Sequence, residues 1–154
     1  MSALVKPKAA SVENMLAMLF GVDGLDVSDS TAMPEGPAAV YVGDDGQLLA
    51  LGVGDFAFAA YSGAALSMLP KGGAQDMVDE KSLSSTVEAN FYEVMNICSR
   101  LLMNDQSVHL RLDRLVDWAE AKSLIESMGG HQSMGFSVPV PRYGSGQLAF
   151  VIAA

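Results

Sequence analysis

Glu93 and Asn96 carry the sharpest chemical possibility in this sequence: a carboxylate and a carboxamide, three positions apart inside a run that reads as a helix. At ~100° per residue Asn96 falls ~60° from Glu93, and Ala89 and Arg100 lie within ~40° of it. Val87, Phe91, Val94, Cys98, Leu101 and Leu102 gather on the opposite side. The helix therefore has one core-facing surface and one narrow polar stripe. On an exposed stripe a carboxylate can pair with a cation while a carboxamide positions a water or an amide. Glu and Asn are also the ordinary content of a solvated helix face, and spacing alone leaves both readings open.

The element that carries this stripe is the longest helical pattern in the chain, Ser84–Met103, with no Gly or Pro inside. Ahead of it, Val12, Met15, Leu16 and Leu19 recur at helical spacing behind Ser11 as N-cap, which predicts a helix ending at Gly21. Gly21–Pro37 is rich in turn-forming residues and reads as a surface excursion. Val40, Val42 and Leu48–Val53 flank Gly43-Asp44-Asp45-Gly46, a hairpin. Asp55 caps a second helix that runs towards Leu69 before Pro70 and Gly72-Gly73, and Gln75–Leu83 is a polar connection. After the long helix, Val108, Leu110 and Leu112 alternate with His109, Arg111 and Asp113 as a strand with one wet face. Trp118–Met128 returns to helical spacing, and Phe136–Val140 and Gln147–Ile152 bracket a turn at Tyr143–Gly146, a second hairpin. The sum is an α+β fold: one domain over residues 1–154, a mostly antiparallel sheet packed with two long helices, with residues 1–10 flexible.

The composition agrees with a folded domain of this kind. Of 154 residues 50% are hydrophobic and 18% charged, enough apolar content for a sizeable core. Eighteen acids against nine bases give a net charge of −9, which disfavours nucleic acid and anionic membrane surfaces and favours a partner with a basic patch or a small substrate. The single cysteine cannot make an intrachain disulfide and no signal-peptide pattern opens the chain, so the cytoplasm is expected. The most apolar stretches, such as Phe56–Tyr61, are far shorter than the ~20 residues of a membrane span.

Val87–Arg100, with Glu93-Val94-Met95-Asn96-Ile97 at its centre, resembles the signature helix of the CheC/CheX/FliY family of chemotaxis phosphatases, whose motif is Glu-x-x-Asn followed by an aliphatic residue. The likeness extends to the order of elements, with a first helix ending Met18-Leu19-Phe20-Gly21, a hairpin, a second helix ending Met68-Leu69-Pro70, the signature helix and later strands. The resemblance implies a phosphatase acting on the phospho-aspartate of a CheY-like response-regulator receiver domain. Glu93 would pair with the regulator's active-site lysine, Asn96 would orient the attacking water, and Ala89 and Arg100 would lie in the partner-binding stripe. It implies no cofactor in this chain, with Mg²⁺ on the partner, and a homodimer. Phosphoryl transfer of this kind rests on positioning and charge stabilisation and needs no nucleophile from this chain. Two positions depart from the family pattern: Ala89 stands where an Asp or Ser is frequent, and the proline often found some twenty residues after the asparagine is missing. Glu13 is followed three positions later by Leu16, so only one copy of the motif is present, the CheX-like arrangement. A non-catalytic interaction module of the same fold is the alternative these departures allow.

Other constellations read as structural. Gly52-Val53-Gly54-Asp55-Phe56-Ala57 fits the loose Gly-x-Gly-x-x-Ala form between strand and helix, but the parallel strand of a dinucleotide fold does not follow. It leaves a third, weaker reading, a small-ligand sensor at this turn. His109 and His131 have no metal-ligand spacing, and Cys98 reads as a small core residue. Asp23, Asp26 and Asp29 lack the pattern of a calcium loop. Met15, Met18, Met68, Met95 and Met128 read mostly as core filler, and Gln147–Ile152 as a low-charge strand exposed to self-pairing.

Overall fold

Strands joined by turns of a few residues pair antiparallel, and among the described residues the long-range strand pairs are antiparallel as well. The computed structural model describes residues 3–153. Its elements are α1 (Ala9–Phe20), β1 (Ser28–Ser30), β2 (Ala38–Val42), β3 (Leu48–Gly54), α2 (Phe56–Leu66), α3 (Lys71–Glu80) and α4 (Ser85–Cys98), the last continued by a 3-10 segment (Ser99–Leu102). β4 (Arg111–Val116), α5 (Trp118–Ser127), β5 (His131–Val140) and β6 (Gly144–Ala153) complete the chain. The strands form one six-stranded sheet in the order β1-β5-β6-β3-β2-β4. The α+β class expected from the sequence is what the structure shows.

The sheet is covered on both sides. Ala39 and Tyr41 of β2, Ala50 of β3 and Leu148, Phe150 and Ile152 of β6 meet Val12 and Leu16 of α1, Phe58 of α2 and Phe91 and Val94 of α4. On the other face Val40, Val42, Leu51, Val53 and Val116 meet Ala121 of α5, with Trp118, Leu124 and Ile125 packed around them. Successive side chains of a strand point to opposite faces, so all five residues of β2 are buried.

α2 and α4 approach each other unusually closely. A Cβ placed on Gly63 of α2 would lie 2.7 Å from the carbonyl oxygen of Val87 and 2.8 Å from its Cγ1. Only hydrogen fits there. Asn90, one turn along α4, donates from Nδ2 to the Gly63 carbonyl at 2.9 Å and to Ser67 Oγ at 2.7 Å. Phe58 and Phe91 complete the seam edge to face, with ring centroids 6.3 Å apart.

Several local expectations need correction. The polar connection Gln75–Leu83 is largely helical: α3 forms although Gly72 and Gly73 cost about 1 kcal/mol each relative to alanine. It is held by Ala74, buried beneath it, and by Tyr61, whose hydroxyl donates to Gln75 Oε1 at 2.8 Å. α2 stops at Leu66 rather than Leu69, and Met68, at φ 53°, is 78% exposed, as is Met18 at 83%; neither is core filler. α1 starts at Ala9, before the expected cap Ser11. The surface excursion contains the short strand β1 and buries Leu25 and Val27. The lone strand begins at Arg111 rather than Val108, and the last hairpin turns at 141–143, earlier than expected. Gln147–Ile152 is not an exposed edge, because β6 lies between β5 and β3; the open edges are β1 and β4. Within the first ten residues Val5 N–H donates to the Leu102 carbonyl at 2.8 Å, and Leu4 and Pro7 are buried.

Gly63→Ala tests the seam. Alanine gains about 1 kcal/mol of helix propensity, but forcing a methyl against Val87 costs about 1–3 kcal/mol. Denaturant unfolding should show a net loss of stability, and a more stable variant would mean that the two helices lie further apart than described.

Candidate functional site

α4 forms where its sequence predicts, because Ser84 caps it, accepting the Val87 N–H at 3.2 Å, and no Gly or Pro interrupts it. Its wheel is as expected. Val87, Phe91, Val94 and Cys98 are buried, as are Leu101 and Leu102 beyond it, while Ala89, Glu93, Asn96 and Arg100 are all exposed. The helix tightens at Ser99 into the 3-10 segment, which shifts Arg100 by only ~40° and leaves it on the stripe.

The backbone beneath the stripe is pinned. Tyr41, on β2, donates its buried hydroxyl to the Met95 carbonyl at 2.6 Å, and Ser99 Oγ donates to the Asn96 carbonyl at 2.6 Å. Met95 itself is fully buried, its terminal methyl packed directly over Gly52 of β3. The side chains of Glu93 and Asn96, by contrast, have no hydrogen-bond or ion-pair partner among the described residues. A fixed backbone thus holds an uncommitted carboxylate and carboxamide out to solvent. This is the arrangement in which both groups can act on a molecule that docks against the helix.

Next to the stripe, α4 and the edge strand β4 leave a shallow open cleft of about 520 Å³, lined by Glu88, Ala89, Tyr92, Asp113, Arg114 and Leu115. Arg114 is held there by Asp113 Oδ2 at 2.8 Å and Glu120 Oε2 at 2.9 Å; the Glu120 hydrogen bond foremost, then that to Asp113, raises its pKa. Sequence reasoning missed this cleft, because no local pattern reports that β4 will lie beside α4.

The remaining candidates resolve as structural. Cys98 is fully buried and its thiol is pushed up to about 12 by desolvation. Tyr41 is raised well above its ordinary value, chiefly by burial and further by Cys98. At Gly52–Asp55 the backbone donors are already used: Gly54 N–H bonds the Pro37 carbonyl at 3.1 Å and Asp55 N–H the Gln147 carbonyl at 3.0 Å. Asp55 caps α2, accepting the Phe58 N–H at 2.7 Å, so the turn offers no cradle for a phosphate or small ligand. His109 is exposed and lies 3.1 Å from Asp44, and His131 is exposed with Nδ1 3.1 Å from the Gly129 carbonyl. Asp23, Asp26 and Asp29 are exposed around β1. Among the described residues no three His, Cys, Asp or Glu side chains are grouped to hold a metal ion, and no helix is long and apolar enough to cross a membrane.

No family model matches the chain, and no curated protein matches it. Among solved structures it is similar to a chain of the CheX–CheY–BeF3–Mg²⁺ complex from Borrelia burgdorferi, over 92% of this chain and 92% of that one. The likeness is one of fold alone. Sequence identity is 10% and the TM-score 0.46.

Cys98 should resist alkylation by iodoacetamide at pH 8 in the native protein and react once the chain is unfolded, since neither access nor thiolate is available in the fold. Mass spectrometry of native samples reads the outcome. Ready native labelling would overturn the reading of Cys98 as an inert core residue.

Proposed function

We propose that this chain is a phosphatase for the phospho-aspartate of a response-regulator receiver domain, in chemotaxis or a related two-component pathway. The observation that carries the reading is the pair Glu93 and Asn96, exposed side by side without partners on a helix whose backbone is fixed from beneath. The Glu-x-x-Asn resemblance supplies the partner. In the reaction a water oxygen attacks phosphorus, the bond from phosphorus to the acyl oxygen breaks, and inorganic phosphate and the regulator's aspartate are released. Asn96, whose carboxamide both donates and accepts, orients that water. Glu93 pairs with a cation beside the phosphoryl group and fixes the register of the two proteins. Mg²⁺ would be held by the partner, where it neutralises phosphoryl charge. The pairing belongs in the cytoplasm with the regulator. A homodimer, implied by the same resemblance, would have to use a surface other than Gln147–Ile152.

Ala89 favours a second reading, an interaction module of the same fold that binds the regulator without hydrolysis. One experiment separates them. With a phosphorylated receiver domain from the same genome, Asn96→Ala should slow dephosphorylation by roughly 10²-fold, about 2.7 kcal/mol, with binding nearly intact. Glu93→Ala should weaken binding as well, and its effect should shrink as salt rises. Equal decay rates with wild type and Asn96→Ala, alongside measurable binding, would select the interaction module.

A further inference from the structure

Large apolar side chains are rarely left in solvent in this chain: Met18, Met33, Met68 and Tyr92 are the exposed ones among the described residues. Tyr92 is the aromatic one, and it stands next to Glu93 at the mouth of the cleft between α4 and β4. Tyrosine placed this way commonly anchors protein interfaces, because its ring buries large area at small entropic cost. Leu115, partly buried, and Ala89 supply the rest of its apolar lining.

The charge of the cleft is one-sided. Arg114 is already paired on both flanks by Asp113 and Glu120, and Arg111 leans on Asp113 at 3.5 Å. Glu88, one turn before Tyr92, has no ion-pair partner among the described residues and is exposed. Together with Glu93 it leaves two carboxylates without ion-pair partners beside Tyr92 and Leu115, on a chain whose net charge is −9; Arg100, also unpaired, lies two turns beyond Glu93 and outside the cleft lining. The cleft is too open to enclose a small molecule, since small-ligand sites bury most of the ligand's surface. It suits a side chain presented by another protein.

We propose that this cleft is the docking site that sets affinity for the regulator: it receives an apolar side chain of the receiver domain against Tyr92 and Leu115, with a neighbouring lysine or arginine against Glu88. This rests on the phosphatase reading for the identity of the partner, but it assigns binding and chemistry to different residues. Tyr92, Leu115 and Glu88 hold the regulator, and Asn96 acts on the water. The cleft also selects among regulators, because a receiver with an acidic residue opposite Glu88 would be repelled.

The test uses the full chain and a receiver domain from the same genome, loaded with beryllofluoride and Mg²⁺ for binding and phosphorylated for turnover. Tyr92→Ala and, separately, Glu88→Lys should each raise Kd and KM roughly tenfold, while the maximal rate at saturating receiver changes by less than about twofold. The Glu88→Lys effect should fade at high salt, whereas that of Tyr92→Ala should not. Both positions are exposed, and circular dichroism with thermal unfolding verifies the fold of each variant. Unchanged Kd and KM in both variants, with Asn96→Ala still slowing dephosphorylation, overturns the docking cleft and leaves the phosphatase reading standing. A wild-type chain that neither binds nor dephosphorylates the receiver overturns both. Tight binding with no turnover, weakened by the two cleft variants, supports the cleft and selects the interaction module.

Discussion

The contact between Gly63 and Val87 is the constraint on which the rest depends. Backbone rather than side chain separates α2 from α4 at this point, so the distance and rotation of α4 have almost no latitude. Asn90 reads the same contact from the other helix through its bonds to the Gly63 carbonyl and Ser67. Tyr41 then ties α4 to the sheet at Met95, one residue before Asn96. Which way Glu93 and Asn96 point is decided by these buried contacts and not by anything at the surface.

Among the described residues, those buried beneath the stripe carry no charge. The Cys98 thiol and the Tyr41 phenol both titrate far above neutrality because burial penalises their charged forms. The field at Glu93 is therefore set by surface residues alone: Glu88 and Glu93 without ion-pair partners among the described residues, Arg100 likewise unpaired further along the stripe, and Arg114 balanced by its two carboxylates. A sheet covered on both faces leaves its edges β1 and β4 and the outer sides of the helices, α4 among them, facing solvent.

The sequence made α4 legible because one strong period of 3.6, a serine cap and an uninterrupted run all point to the same answer. Sorting Glu93 and Asn96 from Phe91 and Cys98 needed nothing beyond that period. α3 was illegible for the opposite reason. Its two glycines and single buried residue give no local signal, and its stability comes from Tyr61 and from packing on α2, which are tertiary facts. The position of β6 inside the sheet was hidden too, because a half-apolar strand reads alike whether it has one neighbour or two. The cleft beside α4 depends on the sheet order β3-β2-β4, which no local pattern encodes.

Because the Glu93 and Asn96 side chains bond to nothing among the described residues, they contribute little to folding, and their replacement should cost the scaffold little. Stability and chemistry are thereby separable in this molecule. Substitutions on the stripe should leave the domain folded, so the outer face of this helix can change while what supports it stays the same. Ala89, a small exposed residue on an otherwise polar stripe, is one position where a larger side chain has room.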